Sequence, residues 1–181
     1  MIQEIIIAGF GGQGVMLMGQ LIAYAGMLEN KNVSWIPSYG PEMRGGTANC
    51  SVIVSNSIIG APIVSEPTVL IAMNLPSLEK FAPLIKFGGL AIVNSSLIDR
   101  FPNRSDISII KVKANDIANQ LGNSKVANMV ILGALLEETK VVSGESVMKA
   151  FTKLFANKPE LVSINQNAMA FGQSHVSASG I

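Results

Sequence analysis

A single α/β domain with a mostly parallel sheet is predicted by three features of the sequence. The apolar run Ile5–Ala8 leads into the glycine-rich segment 9–14, which is followed by an apolar, helix-compatible stretch. Further strand signals then alternate with helical ones, without repeats or linkers. The length of 181 residues suits one domain with a sizeable core. We therefore expect a Rossmann-like domain over residues 1–172, with helices on both faces of its sheet, and a flexible tail over 173–181.

The first half of the chain predicts strands grouped around one helix. Consecutive isoleucines predict a buried strand over Glu4–Ala8, and the apolar stretch behind the glycines predicts a helix over Gln13–Leu28. A short second strand is expected at Val33–Ile36. Alternation of Ala48, Cys50, Val52 and Val54 with mostly polar neighbours predicts a half-buried strand over Ala48–Ser55. The turn residues 55–57 then lead into Ile58-Ile59, so an antiparallel hairpin is expected there.

The second half alternates buried strands with helices that carry start signals. Continuous apolar runs predict strands at Val69–Met73, Leu90–Val93 and Ile107–Val112. Residues that can cap or open a helix precede three of the expected helical segments. The helices are expected after Asn74-Leu75-Pro76, over Asp116–Leu121 with Asn115 as its cap, over Val126–Glu138, after Ser143-Gly144-Glu145, and over Asn165–Phe171.

The glycine-rich loop is the first candidate site. Gly9, Gly11 and Gly14, together with Gly12 and Gln13, fall in the pattern G-x-G-x-x-G between a strand and a helix. Glycines there allow a tight turn, close backbone approach by a ligand or partner, and close helix–strand packing. The free N–H groups of the following helix would attract a phosphate or carboxylate.

A nicotinamide dinucleotide site also needs an acid about 20 residues further on, where the second strand ends. That strand runs into Pro37-Ser38-Tyr39, no acid follows before Glu42, and Glu29 falls near the end of the helix. The glycine loop is therefore strong evidence for the fold but weak evidence for any particular ligand. A dinucleotide, another anionic ligand, a partner or simple packing all stay open as its purpose.

A second candidate site is the stretch from Pro37 to Thr47, which two prolines and three glycines constrain. It follows the second strand and should lie on the same carboxyl-end edge as the glycine loop, where open α/β sheets bind ligands. Its polar side chains could pair with each other and brace the loop, or Arg44 could present its guanidinium to a carboxylate or phosphate. The candidate residues here are Ser38, Tyr39, Glu42, Arg44, Gly45 and Gly46.

The composition favours a partner protein. The chain is 49% hydrophobic and only 14% charged, so apolar surface must be hidden, either in an obligate interface or in an unusually well-covered monomer. A formal charge of +1 without a basic cluster argues against a nucleic-acid partner, and no apolar run is long enough to span a bilayer. Cys50 stands alone, which excludes a disulfide framework, and without a basic leader we expect a cytoplasmic protein.

The two loop motifs together resemble the gamma subunit of 2-oxoacid:ferredoxin oxidoreductases, most of all the 2-oxoglutarate type. The likeness extends over nearly the whole chain. It includes Asn128, Leu132-Gly133-Ala134 and the segment Asn167–Gly172.

This resemblance implies a noncatalytic subunit of a complex that oxidatively decarboxylates a 2-oxoacid, transfers the acyl group to coenzyme A and reduces ferredoxin or a similar acceptor. The family holds thiamine diphosphate and magnesium in its alpha and beta subunits, and iron–sulfur clusters in ferredoxin-like subunits or other domains. This chain should bind none of them alone. One cysteine cannot supply the four thiolates of a cluster, and neither a thiamine diphosphate motif nor a zinc spacing is present.

The resemblance further implies that the two loops form one surface facing the thiamine-bearing subunits, near the channel for coenzyme A. The expected partners are the alpha, beta and ferredoxin-like subunits, with self-association possible for the isolated chain. Two alternatives stay open: a stand-alone NAD- or FAD-binding oxidoreductase, and the related subunit of an indolepyruvate oxidoreductase.

Overall fold

A computed structural model describes residues 1–38 and 47–179 of the chain. Its sheet has six strands in the order β2-β3-β1-β4-β5-β6. Their bounds are β1 Ile2–Phe10, β2 Asn32–Ser38, β3 Thr47–Ser55, β4 Val69–Ala72, β5 Leu90–Asn94 and β6 Ser108–Val112. The helices are α1 Val15–Leu28, α2 Leu75–Phe81, α3 Ala114–Gln120, α4 Ala127–Thr139, α5 Gly144–Leu154 and α6 Glu160–Ser179.

The sheet is mostly parallel, as predicted, and β3 is the strand that runs against the others. Strands β1, β4, β5 and β6 pair in parallel, whereas β3 pairs antiparallel with both β1 and β2. The strand β2 therefore runs in the same direction as β1. As a result, β1, β2, β4, β5 and β6 all end at one edge of the sheet, which we call the carboxyl edge.

The two faces of the sheet are covered unequally. Alternate residues such as Ile5 and Ile7 point into a large core with α1, α3, α4, α5 and α6. Their neighbours Ile6 and Ala8 point into a smaller core with α2, the turn Ala82–Leu84 and coil segments. Helices thus lie on both faces, but α2 packs mainly on β1 and β4, so it leaves the β2–β3 side without a helix on that face.

The predicted antiparallel hairpin exists, but its strands are different from those expected. It joins β2 and β3, whereas Ile58-Ile59 forms no strand and Ile58 is exposed. Two residues followed by Gly60 and Pro62 are too short and too interrupted to add a strand. The long alternating strand β3 instead lies between β1 and β2, with partners on both sides.

Two expectations about helices in the second half are wrong. Helix α3 begins at Ala114 without a capping side chain, and Asn115 lies within it, where its Oδ1 accepts a hydrogen bond of 2.7 Å from Asn94 Nδ2. The short helix expected at 165–171 is the middle of α6, which continues as a helix through residues 173–179. Packing explains the extension, because Val176 is buried against the large core.

Helix α6 packs unusually closely against α4. A Cβ added at Gly133 would collide with the backbone carbonyl of Met169, and one added at Gly172 would collide with that of Val130. These reciprocal contacts show that the two helices run antiparallel with their backbones nearly touching. The glycines of the segments 132–134 and 167–172 are therefore explained by helix packing.

Candidate functional site

The strand register places both candidate loops at the carboxyl edge. Phe10 at the end of β1 pairs with Thr47, and Asn49 of β3 lies between Ala8 of β1 and Ser38 of β2. Ser38 is therefore two strands away from the start of the glycine loop, about 10 Å across the sheet. The other candidate residues of the second loop, Tyr39, Glu42, Arg44, Gly45 and Gly46, lie outside the described residues.

The glycine loop is braced from within by Gln13. Its Oε1 accepts a hydrogen bond of 2.6 Å from the Phe10 N–H, and its Nε2 donates one of 3.3 Å to the Met73 carbonyl. The Gln13 side chain thus ties the end of β1 to the residue that follows β4. It fixes the loop and is not free to bind a ligand.

Two of the glycines are explained by local geometry. A Cβ on Gly9 would lie 2.8 Å from the Met73 Cβ, so Gly9 permits close packing beside β4. Gly14 caps α1 in the left-handed region, at φ 74°, and its missing side chain makes room for Asn128.

Gly11 is different, because the fold of the chain gives no reason for it. No heavy atom of the described residues lies within 4 Å of where its Cβ would be, and its φ is not in the left-handed region. Within residues 1–38 and 47–179, the N–H groups of Gly11 and Gly12 find no acceptor. A glycine in such a place is suited to close approach by something outside the chain.

A cleft of about 230 Å³ opens beside the loop, at the point where α1 and α4 both begin. Helix α1 has no capping side chain, whereas α4 follows a 3-10 turn over Ser124–Val126 in which Asn123 Oδ1 accepts a hydrogen bond of 3.0 Å from the Lys125 N–H. Neither helix has an acid in its first turn, so no carboxylate there compensates the positive helix ends. Among the described residues, no carboxylate lines the cleft. The lining consists of Gly12, Gln13, Met73, Asn115, Ser124, Lys125, Ala127 and Asn128.

Two side chains of this cleft provide hydrogen-bond donors. Lys125 is exposed and makes no ion pair with any described residue. Asn128 is only 5% exposed, and its Oδ1 accepts a hydrogen bond of 3.0 Å from the Met129 N–H. Its Nδ2 faces Gly14 and has no acceptor in the described part of the chain. Free N–H groups, an amide and a cation together favour an anion such as a phosphate or carboxylate.

In the sequence, Asn128 stands out only through its family likeness, and Lys125 is not among the expected site residues. A weak signal existed, because a lysine directly precedes the helix expected from Val126. Nothing in the sequence indicated that this helix would begin beside the glycine loop, since more than 100 residues separate them.

The geometry weakens the dinucleotide interpretation. Strand β2 carries no acid up to Ser38, and Glu29 lies at the far end of α1, where it binds Lys31 and the Ser143 N–H. Glu29 is thus at the opposite edge of the sheet from the glycine loop. It cannot hold a ribose at that loop.

The remaining candidate side chains are structural. Cys50 is fully buried, and burial raises the pKa of its thiol to about 12, so it stays protonated and unreactive. His175 lies on α6, with its Nε2 3.1 Å from the Lys111 carbonyl oxygen. In the described ranges, no cluster of three or more His, Cys, Asp or Glu side chains could hold a metal ion, and none of the helices is long and apolar enough to cross a membrane.

Residues 4–174 match the protein family described as pyruvate ferredoxin/flavodoxin oxidoreductase. The chain belongs to this family. The resemblance to gamma subunits seen in the sequence motifs is confirmed by individual relatives of the chain.

Among curated proteins, the chain is 38% identical over 167 residues to the ketoisovalerate oxidoreductase subunit VorA of Methanothermobacter marburgensis. That match covers 92% of this chain but only 35% of VorA, so the chain spans about a third of the length of this relative. It is 35% identical over 177 residues to the 2-oxoglutarate synthase subunit KorC of Methanocaldococcus jannaschii, covering 96% of this chain and 92% of KorC.

Among solved structures, the chain resembles the gamma subunit of a keto/oxoacid ferredoxin oxidoreductase from Geobacter sulfurreducens. The TM-score is 0.83 at 32% identity, and the match covers 97% of this chain and 99% of that subunit. This likeness confirms the predicted single α/β domain.

Proposed function

We propose that this chain is the noncatalytic gamma subunit of a complex that oxidatively decarboxylates a 2-oxoacid to its acyl-coenzyme A and reduces ferredoxin or a similar acceptor. Family membership and the near full-length match to KorC support this role. We further propose a cytoplasmic location.

The observation that carries this proposal is the chemistry of the carboxyl edge. Gly11 and Gly12 present free N–H groups, and Lys125 and Asn128 add a cation and an amide. The described part of this edge provides donors and a cation that suit an anion, and it contributes no carboxylate that could act as a general base. We infer that thiamine diphosphate, which supplies the decarboxylation chemistry, is held with magnesium by other subunits, and that iron–sulfur clusters lie in ferredoxin-like chains.

We place the phosphate groups of coenzyme A beside this edge. Its diphosphate matches the donors of the cleft in charge and hydrogen-bonding type. Ser38, Tyr39, Glu42, Arg44, Gly45 and Gly46 would complete the surface with the residues 9–14, as the family resemblance implies.

The substrate that we propose is 2-oxoglutarate, on the basis of the likeness to KorC over nearly its full length. Since VorA is named for ketoisovalerate, this branched-chain 2-oxoacid is the first alternative substrate. Indolepyruvate is the second, because the chain is also 26% identical to the indolepyruvate oxidoreductase subunit IorB of Archaeoglobus fulgidus. We expect 2-oxoglutarate to give the highest kcat/KM when each acid is assayed with coenzyme A and a low-potential electron acceptor.

Affinity purification of the tagged chain from its native host, under anaerobic conditions, tests the proposed role. The chain should bring down subunits that contain thiamine diphosphate and iron–sulfur clusters, and 2-oxoacid oxidation should require all of them. If the isolated chain oxidises a 2-oxoacid, the proposal is wrong.

Lys125 provides a sharper test of the anion site within that complex. Lys125→Ala should raise the KM for coenzyme A by about tenfold, because one charge-assisted contact is lost, and should leave kcat nearly unchanged. Lys158→Ala, which removes an exposed lysine from the turn before α6, is the matched control. Equal KM values for coenzyme A in the two variants would show that Lys125 does not contribute to coenzyme A binding.

The glycine loop also favours a second candidate, a stand-alone NAD- or FAD-binding oxidoreductase. Calorimetric titration of the isolated chain with NAD and FAD distinguishes this candidate from the gamma-subunit role. Tight binding that is lost in Gly11→Asp would support this alternative, whereas we expect no binding.

A further inference from the structure

Three amide side chains line the cleft beside the glycine loop, those of Gln13, Asn115 and Asn128. An amide has an acceptor oxygen at one end and a donor nitrogen at the other, so the end that faces the cleft decides which ligands it attracts. A backbone N–H can only donate, and a hydrogen bond from one therefore fixes which end of an amide is the oxygen. The orientation of all three amides follows from such backbone groups.

For Gln13 and Asn128, the backbone acts directly. The Phe10 N–H donates to Gln13 Oε1, and the Met129 N–H donates to Asn128 Oδ1. Gln13 Nε2 then donates to the Met73 carbonyl, so both ends of this amide are used within the chain. Asn128 Nδ2 has no such acceptor in the described part of the chain, and it is left as a donor.

Asn115 is oriented through a second amide, that of Asn94. Asn94 ends β5 and is fully buried, and its Oδ1 accepts a hydrogen bond of 3.3 Å from the Ser96 N–H. Its Nδ2 is thereby turned towards Asn115 and donates to Asn115 Oδ1 at 2.7 Å. A hydrogen bond of 3.2 Å from the Asp116 N–H to Ser96 Oγ holds the two segments together. The half-buried Asn115 thus has its oxygen occupied, and its Nδ2 finds no acceptor among the residues that the structure describes.

We infer that Asn115 is a further ligand-binding residue of the cleft and that Asn94 is the positioning residue that makes it a donor, an inference that rests on the proposed function. The ligand class is an oxyanion group that carries no proton, such as the diphosphate of coenzyme A, because every oxygen of such a group is an acceptor. A group that brings its own O–H or N–H is matched less well, since each amide oxygen of the described cleft already accepts a hydrogen bond. Asn94 is buried behind Asn115 and acts only through it.

The test is steady-state kinetics of the anaerobically purified complex at a saturating 2-oxoacid concentration, with coenzyme A varied. Asn115→Ala removes the donor and should raise the KM for coenzyme A at least about fivefold while leaving kcat nearly unchanged. Asn119→Ala, which removes an exposed asparagine from the same helix, is the matched control and should leave this KM unchanged. Equal KM values for coenzyme A in Asn115→Ala and Asn119→Ala would overturn the inference.

Asn94→Asp tests the positioning role, because aspartate keeps the shape of the side chain but offers only acceptors to Asn115. The Asn115 amide should then turn over, donate to the new carboxylate and present its oxygen to the cleft. We expect the KM for coenzyme A to rise at least about tenfold, and the double variant Asn94→Asp/Asn115→Ala to stay within about threefold of Asn115→Ala alone. An equal increase on both backgrounds would assign the effect to the added charge and would overturn the positioning role.

Further measurements separate the possible failures. Should Asn94→Asp fail to assemble, Asn115→Asp carries the test, because Asn94 Nδ2 would bind one carboxylate oxygen and leave the other at the cleft. Its KM for coenzyme A should exceed that of Asn115→Ala, and a value no higher would overturn the inference. A raised KM in Lys125→Ala, together with unchanged values in the variants of Asn94 and Asn115, would overturn the inference and leave the proposed function standing. If the wild-type complex oxidises the 2-oxoacid without coenzyme A, the proposed function itself fails.

Discussion

Glu29 holds the end of α1 to the start of α5, and its charge should make the domain sensitive to acid. Its Oε2 accepts a hydrogen bond of 2.8 Å from Lys31 Nζ, and its Oε1 accepts one of 2.7 Å from the Ser143 N–H. Lys31 also donates to the Val141 carbonyl at 2.6 Å. Partial burial alone would raise the pKa of Glu29, but the hydrogen bonds from Lys31 and Ser143 outweigh it and lower the pKa from 4.5 to about 2.

The lowered pKa of Glu29 determines both the size and the sign of the pH dependence of stability. Because the pKa of Glu29 is lower in the folded state than in the unfolded state, its ionised carboxylate adds to the free energy of unfolding. This contribution is present in full at pH values above the unfolded-state pKa of 4.5, and it is lost as the pH falls towards the folded-state pKa of about 2. The full shift corresponds to about 3 kcal/mol at neutral pH. Since 22% of the side chain remains in contact with water, we expect Glu29→Gln to lower the free energy of unfolding by about 1–2 kcal/mol at pH 7.

Urea unfolding of wild type and Glu29→Gln from pH 7 to pH 2.5 measures this directly. The difference in the free energy of unfolding between wild type and Glu29→Gln should be constant above pH 5 and should shrink steadily below pH 4.5. Glu145→Gln is the control, because its partner Lys149 and the carboxylate itself are largely exposed, so its loss should have little effect. A Glu29→Gln difference that does not depend on pH would show that packing, and not charge, connects α1 to α5.

Three further outcomes follow from contacts described above. Gly172→Ala should destabilise the fold by about 3 kcal/mol or more, because the added methyl meets the Val130 carbonyl, whereas Gly60→Ala, in open space, should cost little in thermal unfolding. Cys50 should react with a thiol reagent at neutral pH only after urea unfolds the protein, and labelling of the native protein would contradict its burial and raised pKa. Gln13→Ala should lower the unfolding free energy by about 1–3 kcal/mol and speed hydrogen exchange at the Phe10 amide, whose acceptor it removes.

The fold class could be predicted because the local signals agree with the tertiary structure. Consecutive isoleucines gave β1, alternation gave β3, and Asn74 indeed caps α2 through a 2.9 Å hydrogen bond from the Ser77 N–H. Ser143 caps α5 in the same way. In each of these cases, the deciding interaction lies within a few residues of the chain.

The errors arose where distant contacts decide the structure. Asn115 looked like a cap, but Asn94, 21 residues away, engages its side chain. The end of α6 is rich in serine, which is a poor signal for a helix, and its Val176 is buried in the large core. The cleft at Lys125 and Asn128 was missed for the same reason, because α4 reaches the glycine loop only through the folded topology.

The position of β3 between β1 and β2 limits how the domain can vary. Side chains alternate between the faces of a strand, so inserting or deleting one residue inside β3 would exchange Cys50 and Val52 with Asn49 and Ser51. Polar groups would then enter the large core, and apolar ones would face outward beside Phe10. Natural and engineered changes of length should therefore be rejected within this strand.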